Sequence, residues 1–192
     1  VNKYCDEPEG LSAPDNFGNA WIDSNHDNGP GFQWLDISEY GTILNFINND
    51  TGIDNIPLGF DFPFYENQYA EILINPNGWV GFGNDNYNYV NVPLPSDMAP
   101  TNSIMGLWDD LNPSNQANNT GEGNVYYYSN NNQFIITYEG VHRYQVEDSD
   151  YGLYTFQIIL HSNGEIIFNY LDIEGMNNSA TIGIQNENSN GY

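Results

Sequence analysis

The stretch "YTFQIILHSNGEIIFNY", residues 154–170, contains the clearest structural signal in the sequence. Apolar side chains alternate with other residues on both sides of an Asn-Gly pair, which is the period of a β-strand. One face carries Phe156, Ile158 and Leu160 before the turn, and Ile166, Phe168 and Tyr170 after it. Asn-Gly accepts the positive backbone φ angles that a tight hairpin requires. The stretch therefore predicts two antiparallel strands joined by a short turn.

Short runs of the same kind recur along most of the chain, and helical periodicity is nearly absent. Turn signals rich in Asn, Gly, Asp and Pro separate the runs, for example "NPNG" at 75–78. The predicted strands are "WLDI" (34–37), "GTILNF" (41–46), "IPLGFDF" (56–62), "AEILI" (70–74), "GWVGFG" (78–83), "SIMGLW" (103–108), "NVYYY" (124–128), "QFIITYEGV" (133–141), "LYTFQIILH" (153–161), "EIIFNYL" (165–171) and "ATIGIQ" (180–185). This pattern predicts an all-β fold, an antiparallel, jelly-roll-like β-sandwich.

A chain of 192 residues without an internal boundary in composition is expected to form one domain. Residues 1–19 are rich in Pro, Gly and Asp and predict an irregular N-terminal strap or linker, and residues 20–192 predict the β-sandwich module. Cys5 is the single cysteine, so the chain has no internal disulfide. The predicted core consists of Phe60, Phe62, Ile74, Trp79, Val80, Phe82, Trp108, Phe156, Ile158, Phe168 and Ile182.

The charge balance is strongly acidic. Asp and Glu number 26, whereas Lys3 and Arg143 are the only basic residues besides histidine, which gives a formal net charge of −24. Such a surface repels nucleic acid and anionic membranes and attracts cations. We therefore expect no nucleic-acid partner and, because no apolar run has membrane-spanning length, no membrane insertion.

Catalytic motifs are absent from the sequence. His26, His142 and His161 lie far apart, and neither a G-x-S-x-G elbow, a zinc-ligand pattern nor a phosphate loop occurs. Paired carboxylates can perform glycosidase chemistry, but with 26 acidic residues such pairs arise by chance. The sequence predicts that the protein is not an enzyme.

Two acidic loops are candidate Ca²⁺ sites. In the first, "DSNHDNG" at 23–29, Asp23, Asn25 and Asp27 alternate as oxygen ligands do in calcium loops. An EF-hand loop has Gly at its sixth position and Glu at its twelfth, where this chain has Asn28 and Trp34. The alternative is a polar turn in which these side chains bind their own backbone.

The second candidate is "WDDLNP" at 108–113, where Asp109 and Asp110 follow a predicted strand. Adjacent side chains point to opposite faces, so at most one of the two carboxylates enters the interior. A buried carboxylate is costly unless it binds a cation or accepts several hydrogen bonds. The two carboxylates would therefore either help to bind Ca²⁺ or hold the neighbouring loop.

Exposed aromatic side chains are the candidate ligand-binding groups. Tyr87 and Tyr89 occur in the polar loop "NDNYNYVNVP", and Tyr127 is the central residue of three consecutive tyrosines. Tyrosine beside Asn and Asp suits a glycan, because the ring stacks on sugar while amides and carboxylates bind hydroxyl groups. It suits a protein ligand equally, because it offers a large rigid surface with a polar tip. The alternative is that these rings only cover an edge of the sandwich.

Several segments resemble nidogen-like extracellular modules. The similar segments are "IPLGFDFPFYENQYAEILINPNGWVGFG" (56–83), "APTNSIMGLWDDLNP" (99–113) with "GNVYYY" (123–128), "LYTFQIILHSNGEIIFNYLDI" (153–173) and "ATIGIQN" (180–186). The lead-in "WIDSNHDNGPGFQWLDISEYGT" (21–42) resembles that of bacterial members, which occur in large secreted proteins, often beside subtilisin-like proteases.

This resemblance implies a noncatalytic module of a larger secreted or cell-surface protein, with neighbouring domains covalently attached. We expect binding or adhesion, or substrate targeting for an attached hydrolase, with an extracellular protein or glycan as ligand and Ca²⁺ as a stabilising ion. The alternatives are a dedicated carbohydrate-binding module that uses the exposed Tyr, Asn and Asp side chains, and a structural spacer that binds nothing.

Overall fold

The computed structural model describes residues 10–83, 87–113, 121–144, 153–174 and 178–188. The chain forms two compact units, residues 1–35 and 36–192. The expected boundary between residues 19 and 20 stays a prediction.

The first unit contains a short antiparallel pairing between residues 10–12 and 21–23, with a bridge from Leu11 to Ile22. The Asp15 carboxylate accepts the N–H groups of the second and fourth residues after it, both at 2.8 Å, and so closes the turn between the paired segments. This side chain behaves as an Asx turn does, which is why a segment rich in Pro, Gly and Asp folds back on itself here.

The second unit is an antiparallel β-sandwich, as predicted. Its strands are β1 (Thr42–Ile43), β2 (Ile53–Phe64), β3 (Asn67–Asn75), β4 (Trp79–Gly81), β5 (Ser103–Trp108), β6 (Leu111–Asn112), β7 (Asn124–Ser129), β8 (Gln133–Arg143), β9 (Tyr154–His161), β10 (Ile166–Ile173) and β11 (Thr181–Gln185). One sheet has the order β1-β7-β8-β9-β10, with β6 also paired to β8, and the other has the order β11-β5-β4-β3-β2. The described residues contain no helix.

The hairpin that the sequence predicts at residues 154–170 is confirmed, residue by residue. Phe156, Ile158 and Leu160 on β9 face Tyr170, Phe168 and Ile166 on β10, respectively. At the turn, Gly164 has a φ of 93° and its N–H donates to the His161 carbonyl at 2.9 Å. The alternating apolar side chains of the hairpin thus share one face, which packs into the core between the sheets.

The predicted turn at residues 75–78 is also confirmed. Gly78 has a φ of 82°, and a Cβ atom placed there would lie 2.0 Å from the Leu107 carbonyl oxygen. The Gly78 carbonyl accepts the Leu107 N–H at 3.1 Å, which brings the turn against β5. Only glycine satisfies both the backbone angle and this close approach.

The central strands β4 and β5 of the five-stranded sheet are buried on both faces. The sheet's inward side chains, including Ile74, Val80 and Ile104, join the core between the two sheets. Its outward side chains form a second cluster of Leu73, Trp79, Ala99, Met105 and Trp108, with Val92 and Leu94 packed against it. Because side chains alternate along a strand, these neighbours in sequence lie on opposite faces. Residues 92–99 therefore cover the outer face of this sheet.

Most predicted core residues are buried, and some predictions were wrong. Phe60 and Phe168 are only partly buried, and Ile182 is 50% exposed. The register shift between Thr181 and Gly183 interrupts the alternation of β11, so Ile182 turns outward.

Two strand predictions also needed correction. Residues 34–37 form no strand, because the Asp36 carboxylate accepts the Ser38 N–H at 2.9 Å and the Ile37 carbonyl accepts the Gly41 N–H at 2.7 Å, which makes a local turn. The strand expected at 41–46 is reduced to β1.

Candidate functional site

Two buried asparagines join three loops at one end of the second unit. Asn77 accepts the Leu111 N–H at 2.8 Å and donates to the Asn49 carbonyl at 3.0 Å. Asn75 donates to the Asp50 carbonyl at 2.9 Å. Both asparagine side chains are fully buried, so these bonds are shielded from water. The turn at 75–78 thereby fixes the loop of Asp50 beside the loop that precedes β6.

The loop between β5 and β6 carries Asp109 and Asp110, which behave differently. Asp109 is buried, and its carboxylate contacts the Arg143 guanidinium at 3.0 Å and accepts the Ser179 hydroxyl at 2.7 Å. It also accepts the N–H of Asp110 at 2.9 Å. Only one of the two carboxylates is fully buried, as the strand geometry predicted, and that one is paired.

The Asp110 carboxylate has fewer polar partners than the Asp109 carboxylate among the described residues. Its Oδ1 atom is buried and has no hydrogen-bond partner among the described residues. Burial, followed by the negative charges of Asp50 and Asp109, raises the pKa of Asp110 to about 6, and the positive charge of Arg143 acts in the opposite direction. Among the described side chains, Arg143 therefore compensates the charged form of Asp110 only in part.

Asp50 connects this acidic loop to an exposed tyrosine. The Tyr87 hydroxyl donates a hydrogen bond to the Asp50 carboxylate. Burial raises the pKa of Asp50, although the hydrogen bonds from Tyr87 and Asn77 lower it. The charge of Asp50 in turn raises the pKa of Tyr87. Asp50, Asp110 and Tyr87 thus form one electrostatically connected group.

Tyr87 and Tyr89 flank a backbone group that two tryptophans hold. The indole N–H groups of Trp79 and Trp108 both donate to the Asn88 carbonyl, at 2.9 and 3.2 Å. The adjoining tyrosines are 58% and 39% exposed, and their rings stand at 87° with centroids 6.4 Å apart. Because the backbone between them is anchored in a buried cluster, the two rings are held in place before any ligand arrives.

Exposed apolar side chains extend this surface. Val90 is 55% exposed and Met98 is 70% exposed. The Asn88 amide donates to the Met98 carbonyl at 3.1 Å, which brings the two segments together. We call the group formed by Tyr87, Tyr89, Val90 and Met98, with Asp50 and Asp110, the tyrosine surface.

The structure connects four of the predicted site residues through Asp50, namely Tyr87, Tyr89, Asp109 and Asp110. Tyr127 has a different environment, because it is partly buried, packs against the core, and stacks its ring on Phe134 at 5.5 Å. Its role in binding stays a prediction.

The loop at 23–29 forms a turn in the first unit. One Asp23 carboxylate oxygen accepts the Asn25 N–H at 2.8 Å, while Asn25 and Asp27 are exposed. Within the described ranges, no three His, Cys, Asp or Glu side chains form a group that could hold a metal ion. Ca²⁺ binding by either acidic loop stays a prediction.

Sequence reasoning missed Asp50, Asn77 and Asn88. Asp50 lies in "NNDTG", which is indistinguishable from the other polar turns of an Asn-rich chain. Asn77 had a local signal, because "NPNG" indicates a turn, but that signal does not reveal burial. The importance of Asn88 depends on two tryptophans that are distant in sequence, so no local pattern could identify it.

In the part of the chain that the structure describes, no helix is long and apolar enough to cross a membrane. No solved structure shows a significant match to the chain. A family model described as "NIDO related" matches residues 28–192, which include the whole β-sandwich and the tyrosine surface. On that match, the chain belongs to the nidogen-related family.

Proposed function

We propose that this chain is a noncatalytic, extracellular binding module of a larger secreted or cell-surface protein, and that its ligand binds at the tyrosine surface. Adhesion, or targeting of an attached hydrolase to its substrate, would follow from such binding. Family membership supports an extracellular, noncatalytic role, and the expected bacterial origin belongs to the same proposal.

The observation that carries the proposal is the anchoring of Asn88. Two buried tryptophans hold its carbonyl, and the flanking Tyr87 and Tyr89 rings remain largely exposed. Exposing aromatic area on an anchored backbone lowers the entropy lost when a ligand binds. A loop that merely covered the sheet would gain more stability by burying these rings than by exposing them.

A protein ligand is favoured over a glycan by the ring geometry. A sugar ring stacks on a flat aromatic face, and two coplanar rings would offer a longer platform. Tyr87 and Tyr89 are nearly perpendicular and form a corner instead. Such a corner suits a side chain that inserts between the rings, and the adjacent Val90 and Met98 supply apolar area for a polypeptide.

The test is binding to arrays of purified extracellular proteins and of glycans, with wild-type protein and the double variant Tyr87→Ala/Tyr89→Ala. We expect protein ligands to bind the wild type and not the variant. The melting temperature of the variant should fall only slightly, because both rings are partly exposed and Tyr87 loses one hydrogen bond to Asp50. A glycan ligand that depends on the two tyrosines would favour the carbohydrate-binding alternative. Binding that the variant retains would refute the tyrosine surface as the site, and no ligand at all would favour the spacer.

A further inference from the structure

We propose that the tyrosine surface docks a protein segment through an arginine side chain, whose guanidinium packs against Tyr87 and Tyr89 and pairs with the Asp50 carboxylate, to whose negative charge Asp110 adds. This inference rests on the proposed function and names the chemical class of its ligand.

The described part of the chain offers little positive charge to this surface. Its formal net charge is −24, and Arg143 is the only Lys or Arg in the part of the chain that the structure describes. Arg143 already contacts the Asp109 carboxylate at 3.0 Å. A cationic partner would therefore meet a surface whose negative charge the described residues offset only through Arg143, and complementary charge guides partners together.

Asp110 adds a second negative charge close to Asp50. Its Oδ1 atom is buried and is not reached from solvent, and Asp50 is close enough for its charge to disfavour ionisation of Asp110. A guanidinium paired with Asp50 would offset this repulsion. In a partly buried position the resulting hydrogen bonds meet less competition from water.

The two rings supply the second half of the site. A cation is attracted to an aromatic face within about 6 Å of the ring centre. Tyr87 and Tyr89 have centroids 6.4 Å apart and planes at 87°, so a group between them meets the face of one ring and the edge of the other. The hydrogen bond from Tyr87 to Asp50 places a carboxylate at the hydroxyl end of the Tyr87 ring.

Arginine fits this arrangement better than lysine does. Its guanidinium is planar, stacks on an aromatic ring and presents a fork of donors to carboxylates, whereas the lysine ammonium is a compact and strongly hydrated point charge. The exposed Val90 and Met98 side chains provide apolar contacts for the rest of a polypeptide, which a small inorganic cation would not use. The favoured occupant is therefore an arginine within a protein segment.

The experiment uses three blocked peptides that differ only at the centre, Gly-Gly-Arg-Gly-Gly, the lysine equivalent and the glutamate equivalent. Each is titrated into isotope-labelled protein in about 150 mM NaCl, where long-range attraction is largely screened. We expect the arginine peptide to shift the amide resonances of Asp50, Tyr87–Val90, Met98 and Asp110. We expect weaker shifts with the lysine peptide and none with the glutamate peptide.

Variants separate the site from general attraction to an acidic protein. Tyr87→Leu/Tyr89→Leu keeps every charge and should weaken arginine binding about threefold, from the loss of a cation–π contact at an exposed site. Asp50→Asn/Asp110→Asn should weaken it at least as much. The control Asp61→Asn/Glu71→Gln removes the same amount of charge from exposed positions on β2 and β3 and should leave the affinity nearly unchanged.

Resonance shifts spread over the whole surface, equal binding of the arginine and lysine peptides, or an unchanged affinity of the tyrosine variant would each overturn the arginine inference. If the arrays show a protein ligand that depends on Tyr87 and Tyr89 while the arginine peptide does not bind, the proposed function stands and only this inference fails. If the arrays show a glycan instead, the protein class of the ligand fails.

Discussion

The Arg143 guanidinium contacts the Asp109 carboxylate at 3.0 Å, and this ion pair joins the end of β8 to the loop that follows β5. The Asp109 side chain is 3% exposed and that of Arg143 is 23% exposed, so the pair is largely shielded from water. Its neighbour Asp110 has no such partner among the described residues, which gives two adjacent carboxylates opposite roles in stability.

Arg143→Met should destabilise the protein by about 3 kcal/mol, because it leaves the buried Asp109 carboxylate without its counter-charge. The double variant Asp109→Asn/Arg143→Met removes both charges and should recover part of this loss. Urea unfolding of wild type, Arg143→Met, Asp109→Asn and the double variant measures the four free energies. If the double variant is as unstable as the sum of the two single variants, the ion pair does not couple these residues.

Asp110→Asn should stabilise the protein at neutral and alkaline pH. Because the folded pKa of Asp110 is about 6 and the ordinary value is 3.8, its contribution to stability is fully present below about pH 4 and is lost as the pH rises through 6. The amide cannot ionise, so its advantage should be about 1–2 kcal/mol at pH 8 after allowance for solvent screening, and should vanish near pH 4.

Urea unfolding of wild type and variant across pH 4–8 measures this difference. The control is Asp61→Asn, an exposed position on β2 that removes the same charge. An equal increase in the free energy of unfolding for the two variants would show that net charge, and not the position of Asp110, is responsible.

Asn77→Ala should cost about 2–4 kcal/mol, because it leaves the buried Leu111 N–H and Asn49 carbonyl without partners. Asn163→Ala is the matched control, since Asn163 accepts a single N–H at 3.1 Å in the exposed turn between β9 and β10. Thermal unfolding should show a large loss for the first variant and a small one for the second. Similar losses would mean that the buried asparagine does not hold the loops together.

Trp108→Ala should cost about 3–5 kcal/mol, because the indole is fully buried in the outer cluster. Ile182→Ala should change the free energy of unfolding by less than about 0.5 kcal/mol, since that side chain is half exposed. Chemical denaturation of both variants compares these two apolar positions. A loss below about 1 kcal/mol for Trp108→Ala would contradict its burial.

Ca²⁺ at about 1 mM, a concentration suited to weak extracellular sites, should raise the melting temperature more than Mg²⁺ at equal ionic strength. Asp23, Asn25 and Asp27 are the first predicted ligands, and Asp109 with Asp110 the second. Binding to the folded state alone adds about 2.7 kcal/mol at a hundredfold excess over Kd. Equal shifts in melting temperature with Ca²⁺ and Mg²⁺ would show that the stabilisation comes from general charge screening and not from a specific site.

The variants Asp23→Asn/Asp27→Asn and Asp109→Asn/Asp110→Asn distinguish the two loops, because only the loop that binds Ca²⁺ should lose the shift. In the structure Asp23 accepts the Asn25 N–H and Asp109 contacts Arg143, so a bound cation would compete with these interactions. If both variants keep the Ca²⁺-induced shift in melting temperature, the ion binds at another place.

The sequence by itself determined the strands and turns of the sandwich. The alternation of Phe156, Ile158 and Leu160 and the Asn-Gly turn after them depend on local chemistry, namely the two-residue period of a strand and the backbone freedom of glycine. These signals are readable without knowing which strands pair. They failed at the register shift beside Ile182, which is a tertiary feature, and at residues 34–37, where a local turn around Asp36 replaces the strand.

Only the tertiary structure decided how the candidate site is assembled. Asp50, Tyr87 and Asp110 are distant in sequence, and they interact because buried Asn77 bonds to the loops on either side and two tryptophans hold the Asn88 carbonyl. In an Asn-rich, Asp-rich chain every polar turn looks alike. Strand order decides which of these turns is buried and which carboxylate pairs with Arg143. Electrostatic energies depend on distance and solvent exposure, and residue type alone specifies neither.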